Sequence, residues 1–171
     1  MDLISRITSR LFGQPILNNV VRGEVVEEMC LMALEPAWRH AGGDYGAWDL
    51  EHPKTGLRIQ IKQSAARQSW GNSISSPTFS IAHKTGRYDG AKWISERSRN
   101  ADIFIFGWHP LTDDTADHRI ADQWQFFVVP EHKLPSQKSI RLTNIQRLAA
   151  PCSWLELGDS VDKAILGKGK F

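Results

Sequence analysis

Cysteine is scarce in this chain: Cys30 and Cys152 are the two present in 171 residues. Two are too few for a disulfide framework, and neither stands in a paired-cysteine metal spacing. That excludes a stapled secreted scaffold and a structural zinc, and it points to a reducing cytoplasm. Net charge is nearly absent as well. The 21 Lys and Arg against 19 Asp and Glu leave +2, so no global basic field announces a polyanion partner, and any such partner must be held by local clusters. No apolar run approaches the roughly 20 residues of a transmembrane helix. The start MDLISRITSRLFGQPILNN lacks the continuous apolar region and small-residue cleavage site of a secretory signal. Internal repeats and low-complexity tracts are missing too, and Pro and Gly are scattered at turns rather than gathered in a linker. The reading is a soluble cytoplasmic protein with no membrane partner.

What is present suits one folded domain. An apolar fraction of 41% with 23% charged residues is ordinary for a globular protein, and the length is enough to bury a core. Residues 1–171 therefore read as a single domain, with 1–17 as an N-terminal helical extension. NNVVRGEVVEEMCLMALE, residues 18–35, has the helical period, with Asn18 or Asn19 as N-cap and Pro36 as a stop. A Gly-rich approach leads to one strand ending in WDL, then a turn, then the strand LRIQIKQ. The Ser-rich stretch 64–80 reads as loop with a short strand at TFSIA, and HKTGRYDG as another polar loop. A helix is expected around Ala91 to Arg99, strands at ADIFIFGW and DQWQFFVVP, and a short strand with one or two helices at the end. These elements predict an α/β fold with a central sheet of four to five strands flanked by helices.

GAWDLEHPKTGLRIQIKQ, residues 46–63, carries the candidate chemistry. A turn through Pro53 to Gly56 sets Glu51 opposite Arg58, Leu50 opposite Ile59, Asp49 opposite Gln60 and Trp48 opposite Ile61. Alternation then puts Trp48, Leu50, Ile59 and Ile61 on an apolar face, and Asp49, Gln60 and Lys62 on the other. Polar residues along one side of a hairpin are ordinarily just solvated. The alternative is a cation site, because a carboxylate and an amide oxygen about 5 Å apart can grip one hard ion such as Mg²⁺. Such an ion makes a bound water nucleophilic, and a nearby ammonium orients that water or offsets phosphorane charge. On the helix, Val25, Val26, Met29, Cys30, Met32, Ala33 and Leu34 spread over one apolar side, while Glu24, Glu28 and Glu35 lie opposite. Glu27 falls at the border, where a carboxylate can lean toward the sheet beneath.

RGEVVEE, then GGDYGAWDL, then LRIQIKQS resembles the PD-(D/E)XK nuclease superfamily, in a QxK form similar to its Mrr-type restriction endonuclease branch. The resemblance covers residues 18–66. It implies a restriction endonuclease-like core with a mixed sheet, and a Mg²⁺-dependent nuclease, with Mn²⁺ able to substitute, acting on DNA. Glu27, Asp49, Gln60 and Lys62 would be the catalytic set. Glu27, Asp49, Gln60 and the main-chain carbonyl of Ile61 would face the metal, and Lys62 the attacking water. Two positions depart from the pattern: Trp48 stands where a Pro is usual, and Gln60 replaces the usual acid, removing one negative charge from the metal side. A non-catalytic nucleic-acid-binding or interaction protein with a degraded site is the alternative. A purely structural subunit would leave Asp49, Gln60 and Lys62 in bulk water. A nuclease that cuts both strands often works as a homodimer, although no dimer surface is legible.

Four basic residues are candidates for nucleic-acid contact: Arg67 in ARQSWGNS, and His83, Lys84 and Arg87 in HKTGRYDG. HPLTDDTADHRIAD gathers Asp113, Asp114, Asp117, His118 and Asp122 without Ca²⁺-loop spacing, which makes a mobile solvated loop the expectation. Trp93, Trp108, Trp124 and Trp154 are expected in the core. Neither cysteine has a base beside it, and no serine stands in a nucleophile elbow.

Overall fold

Two side-chain caps start the chain's helices. In the computed structural model, which describes residues 2–41, 46–69, 77–89 and 91–167, the Asp2 carboxylate accepts from the Ser5 N–H and opens α1, Leu3–Phe12. The Asn18 side chain accepts from the Val20 N–H at 2.9 Å and opens α2, Asn19–Leu34, which stops short of Pro36 as expected. Short strands β1, Arg39–His40, and β2, Leu50–Glu51, precede the long β3, Arg58–Ala65. The connection that follows contains β4 (Thr78–Ser80), β5 (Arg87–Asp89) and β6 (Lys92–Ile94). Then come β7 (Ile103–His109), β8 (Gln125–Pro130), β9 (Ser139–Arg141), α3 (Leu142–Leu148) and α4 (Leu157–Leu166). Among the described residues no helix is long and apolar enough to cross a membrane.

The central sheet has five strands in the order β1-β2-β3-β7-β8 and is mixed: β3 and β7 run parallel, while the other neighbours are antiparallel. Two small sheets, β4-β9 and β5-β6, lie outside it. The expected α/β architecture is therefore the one observed. β7 and β8 are apolar on both sides because both sides are covered. Ile103, Ile105, Phe126 and Val128 face α2 and α4 through Val26, Cys30, Leu157 and Val161. Phe104, Phe106, Phe127 and Val129 face Phe79, Ile81, Ile140 and Ile145.

The hairpin register is the one the sequence dictates, with Leu50 opposite Ile59 and Glu51 opposite Arg58. Gly56 closes the turn at φ 72°, a conformation that favours glycine, and its N–H donates to the His52 carbonyl. Three expectations fail. The helix over 91–99 is absent, because Lys92–Ile94 pairs with Arg87–Asp89, part of a segment expected to be loop. Tyr88 and Trp93 meet across this pair with ring centroids 5.0 Å apart, so cross-strand packing overrides the local helical pattern. Trp93 is accordingly 48% exposed rather than in the core, lying over Gly86, where a Cβ would come within 2.4 Å of its ring. The acidic loop is not free either: Asp117 accepts from the Ile16 N–H and holds the Arg119 guanidinium, and His118 is fully buried against His109 and Trp124. The expected Gly-rich approach at 42–45 and the part of the Ser-rich loop at 70–76 lie outside the described residues.

Candidate active site

β3 outruns β2, and that difference in length makes the site. The Asp49 N–H donates to the Ile59 carbonyl at 2.9 Å as the last rung of the β2 ladder. Beyond it, the Asp49 side chain takes over the edge: its Oδ2 accepts from the Ile61 N–H and from the Gln60 Nε2, both at 2.5 Å. Backbone groups two apart on a strand face the same neighbour, so the Ile61 carbonyl is directed to the edge where Asp49 sits. Gln60 is only 5% exposed. The polar side of the hairpin is thus not a wetted face.

Trp48 departs from the expected apolar face. Because residue pairing stops at Leu50, alternation no longer binds Trp48 two residues earlier, and its ring lies under the Arg58 guanidinium, 3.8 Å from its centroid. The Arg87 guanidinium reaches the same ring from 5.9 Å.

Glu27 approaches from α2. Burial, then repulsion by Asp49 and Glu24, push its carboxyl up to about 7, while Lys62 and His40 pull the other way. Asp49 is raised by burial, offset by the Ile61 N–H, Lys62, Gln60 and Lys84. Lys62 is lowered by burial, against the attraction of Asp49 and Glu27 and with the repulsion of Lys84. Asp49 and Gln60 are thus bonded at one edge of β3, and Glu27 and Lys62 lie near enough to Asp49 for their charges to interact with it. Among the described residues no three His, Cys, Asp or Glu side chains form a metal cluster, and a cation here would have to be held by two carboxylates together with an amide and a main-chain oxygen. Two mutually repelling, desolvated carboxylates beside one amine form an arrangement that a divalent cation would relieve, and hard oxygen donors suit Mg²⁺.

The raised Glu27 pKa carries a stability prediction. Between its ordinary 4.5 and about 7 the folded state binds more protons than the unfolded chain, so stability falls as pH rises through that window. Glu27→Gln removes the cost. In metal-free buffer at pH 8 the variant should be more stable than the parent by about 1–3 kcal/mol, with the gain vanishing near pH 4.5. Thermal melts at the two pH values check this, and a variant less stable at pH 8 would sink it.

Of the residues expected at nucleic acid, Lys84 stands beside the site, its Nζ donating to the Ala47 carbonyl at 3.0 Å. Arg87 lies close through Trp48 and also approaches Glu96 at 4.0 Å. His83 lines a polar cleft of about 280 Å³ with Arg58, Arg97 and Asn100. Arg67 is turned away, spent on the Asp113 carbonyl and on Asp114 Oδ1. Sequence reasoning passed over Arg22. This guanidinium is buried and donates to amide oxygens of Asn19, Gln63 and Gln68, and burial lowers it to about 10. It clamps the start of α2 to β3 one residue past Lys62. Its signal was a single Arg on an otherwise apolar side of the helix. Both thiols are raised by burial, which leaves them inert.

No family model matches the chain, and no curated protein matches it. Among solved structures it is similar to a bacterial homing endonuclease, I-Ssp6803I, with a TM-score of 0.42 and 17% identity over 72% of this chain and 77% of that one. At that distance the site itself has to decide the chemistry.

Proposed function

We propose that the chain is a divalent-metal-dependent nuclease of the PD-(D/E)XK type that hydrolyses phosphodiester bonds in DNA. One observation carries the reading: the Asp49 carboxylate is held at the β3 edge beyond the last rung of β2 by the Ile61 N–H and the Gln60 amide, with the charges of Glu27 and Lys62 close enough to act on it. Carboxylates held this way cost stability unless the site is used. Glu27, Asp49, the Gln60 amide oxygen and the Ile61 carbonyl would hold Mg²⁺ or Mn²⁺. Bound there, the ion would supply Lewis acidity to a phosphate oxygen and a more acidic water. Lys62 would hold the attacking water by donating to it and offset the charge that builds on the phosphorus centre. Arg58, Lys84 and Arg87, gathered around Trp48 and Ala47, would meet backbone phosphates on either side of the scissile bond.

Gln60 supports a second reading. Its amide nitrogen donates to Asp49, a satisfied pair that a degraded site would keep, and the protein would then bind DNA without cutting it. The two readings separate on labelled duplex, branched and single-stranded DNA incubated with Mg²⁺, Mn²⁺ or EDTA. The nuclease reading expects cutting with either metal and none with EDTA. Retention of DNA on a gel with no cutting under either metal would transfer the assignment to the binding protein.

A further inference from the structure

The first helix is built to be covered, yet its first turn is left open by the described residues. LISRITSRLF places Leu3, Ile4, Ile7 and Leu11 on one side of α1 with Arg6 and Arg10 off that stripe. An isolated helix of 10 residues is marginal in water and depends on packing its apolar face. Here none of its residues is buried, and Leu3 and Ile4 are 71% and 77% exposed.

A groove that fits such a helix lies on the same molecule. α2 is apolar on two sides: Val26, Met29, Cys30 and Leu34 enter the core, while Val20 and Met32 lie exposed on the other and, with Val21, Val25, Ala121 and Trp154, line a groove of about 710 Å³. Met32, on the apolar side of the helix wheel, is 58% exposed there. Glu24 and Glu28 stand in the same groove, opposite in sign to the arginines of α1, while the one arginine lining it, Arg119, is paired with Asp117.

The helix cannot lay its own stripe along its own groove. The Phe12 carbonyl accepts from the Arg119 guanidinium. Ile16 is held on both sides, its N–H donating to Asp117 at 3.2 Å and its carbonyl accepting from the His118 N–H at 3.1 Å. With the connection pinned at both points, only Leu11 and Phe12 of the same chain's α1 reach the groove. The start of the stripe, Leu3 and Ile4, stays outside it.

We infer that the groove takes α1 of a second copy of this chain, in a two-fold dimer where each protomer gives a helix and receives one. Reciprocal exchange uses both unpartnered surfaces at once, which a two-fold interface requires. It doubles the area that either surface alone would bury, toward the roughly 800 Å² per partner of a stable interface. Arg6 and Arg10 of one protomer come against Glu24 and Glu28 of the other, and Glu28 exchanges its contact with His40 for an arginine.

Sedimentation equilibrium of the full chain from about 1 to 100 μM tests this. The parent should show a concentration-dependent monomer–dimer equilibrium. Ile4→Asp and Met32→Asp, placed on the two halves of the interface, should each weaken it at least tenfold, with circular dichroism and thermal melts confirming folded protein. Arg10→Glu should weaken it too, and adding Glu24→Arg in the same chain should restore it, a rescue that misfolding cannot imitate. A parent that stays monomeric throughout overturns the inference. So does a dimer that survives Ile4→Asp and Met32→Asp. A monomer that binds vesicles containing anionic lipid, losing that binding in Ile4→Asp, overturns it as well and assigns the helix to a membrane surface instead. None of these readouts involves nuclease activity, so the inference stands or falls apart from the proposed function.

Discussion

Asp49→Asn should lower DNA cleavage by about two to four orders of magnitude while leaving the fold intact. The substitution is chosen for what it keeps. The amide oxygen of the new side chain would still accept from the Ile61 N–H and the Gln60 amide, the two bonds that hold the carboxylate at the β3 edge. Only the charge is lost. Removing it should relieve Glu27, whose carboxyl Asp49 pushes upward, so the variant should melt no lower than the parent at pH 8. Saturating Mg²⁺ should raise the parent's melting temperature, because a ligand bound only to the folded state stabilises it by mass action. That shift should disappear in Asp49→Asn. Cleavage within tenfold of the parent, with the metal-induced shift intact, would remove Asp49 from the catalytic set.

The largest effect on stability should come from Phe106→Ala, at about 3–5 kcal/mol. Phe106 is fully buried and packs edge-on to Phe79 at 5.3 Å and stacked on Phe104 at 5.9 Å. It also pairs in register with Lys62 across β3 and β7. Truncation therefore leaves a cavity in the core and withdraws support from the strand that carries the amine. Urea unfolding should show the loss as a lower midpoint at unchanged slope. Leu155→Ser, at a side chain that is 80% exposed, provides the control and should stay within about 0.5 kcal/mol. A Phe106→Ala cost below about 1 kcal/mol would mean the core on that side is not packed as described.

The hairpin was legible because two independent signals agreed. Alternation of Leu50, Ile59 and Ile61 and a Pro53 to Gly56 turn allow one register, and a one-residue slip would bury charges. Trp48 was misplaced by extending that alternation one residue past the last paired rung. Glu27 could be narrowed to the edge of its helix from the wheel, yet its coupling to Asp49 is a tertiary fact that no local pattern encodes. Arg22 was invisible for a related reason: a buried guanidinium is tolerated only where amides surround it, and Gln63 and Gln68 come from another part of the chain. The pairing of Arg87–Asp89 with Lys92–Ile94 was obscured by the helical spacing around Trp93. The loop over 113–119 looked solvated by composition. Its anchors are Ile16 and Phe12, about a hundred residues away in sequence.

The parallel partnership of β3 and β7 has a kinetic consequence. The β2–β3 turn can close in about 1–10 μs, so the Asp49 and Gln60 part of the edge can form early and locally. β7 pairs with β3 from Ile59 to Ala65, but the chain between them runs through residues 66–102 and three further strands. The entropy of closing that long loop must be spent before any rung of the parallel ladder rewards it. During synthesis, the hairpin emerges from the ribosome well before Phe106 is made. The nascent chain must therefore carry Asp49 and Gln60, the latter destined for burial, on an unsupported edge until the second half of the sheet arrives.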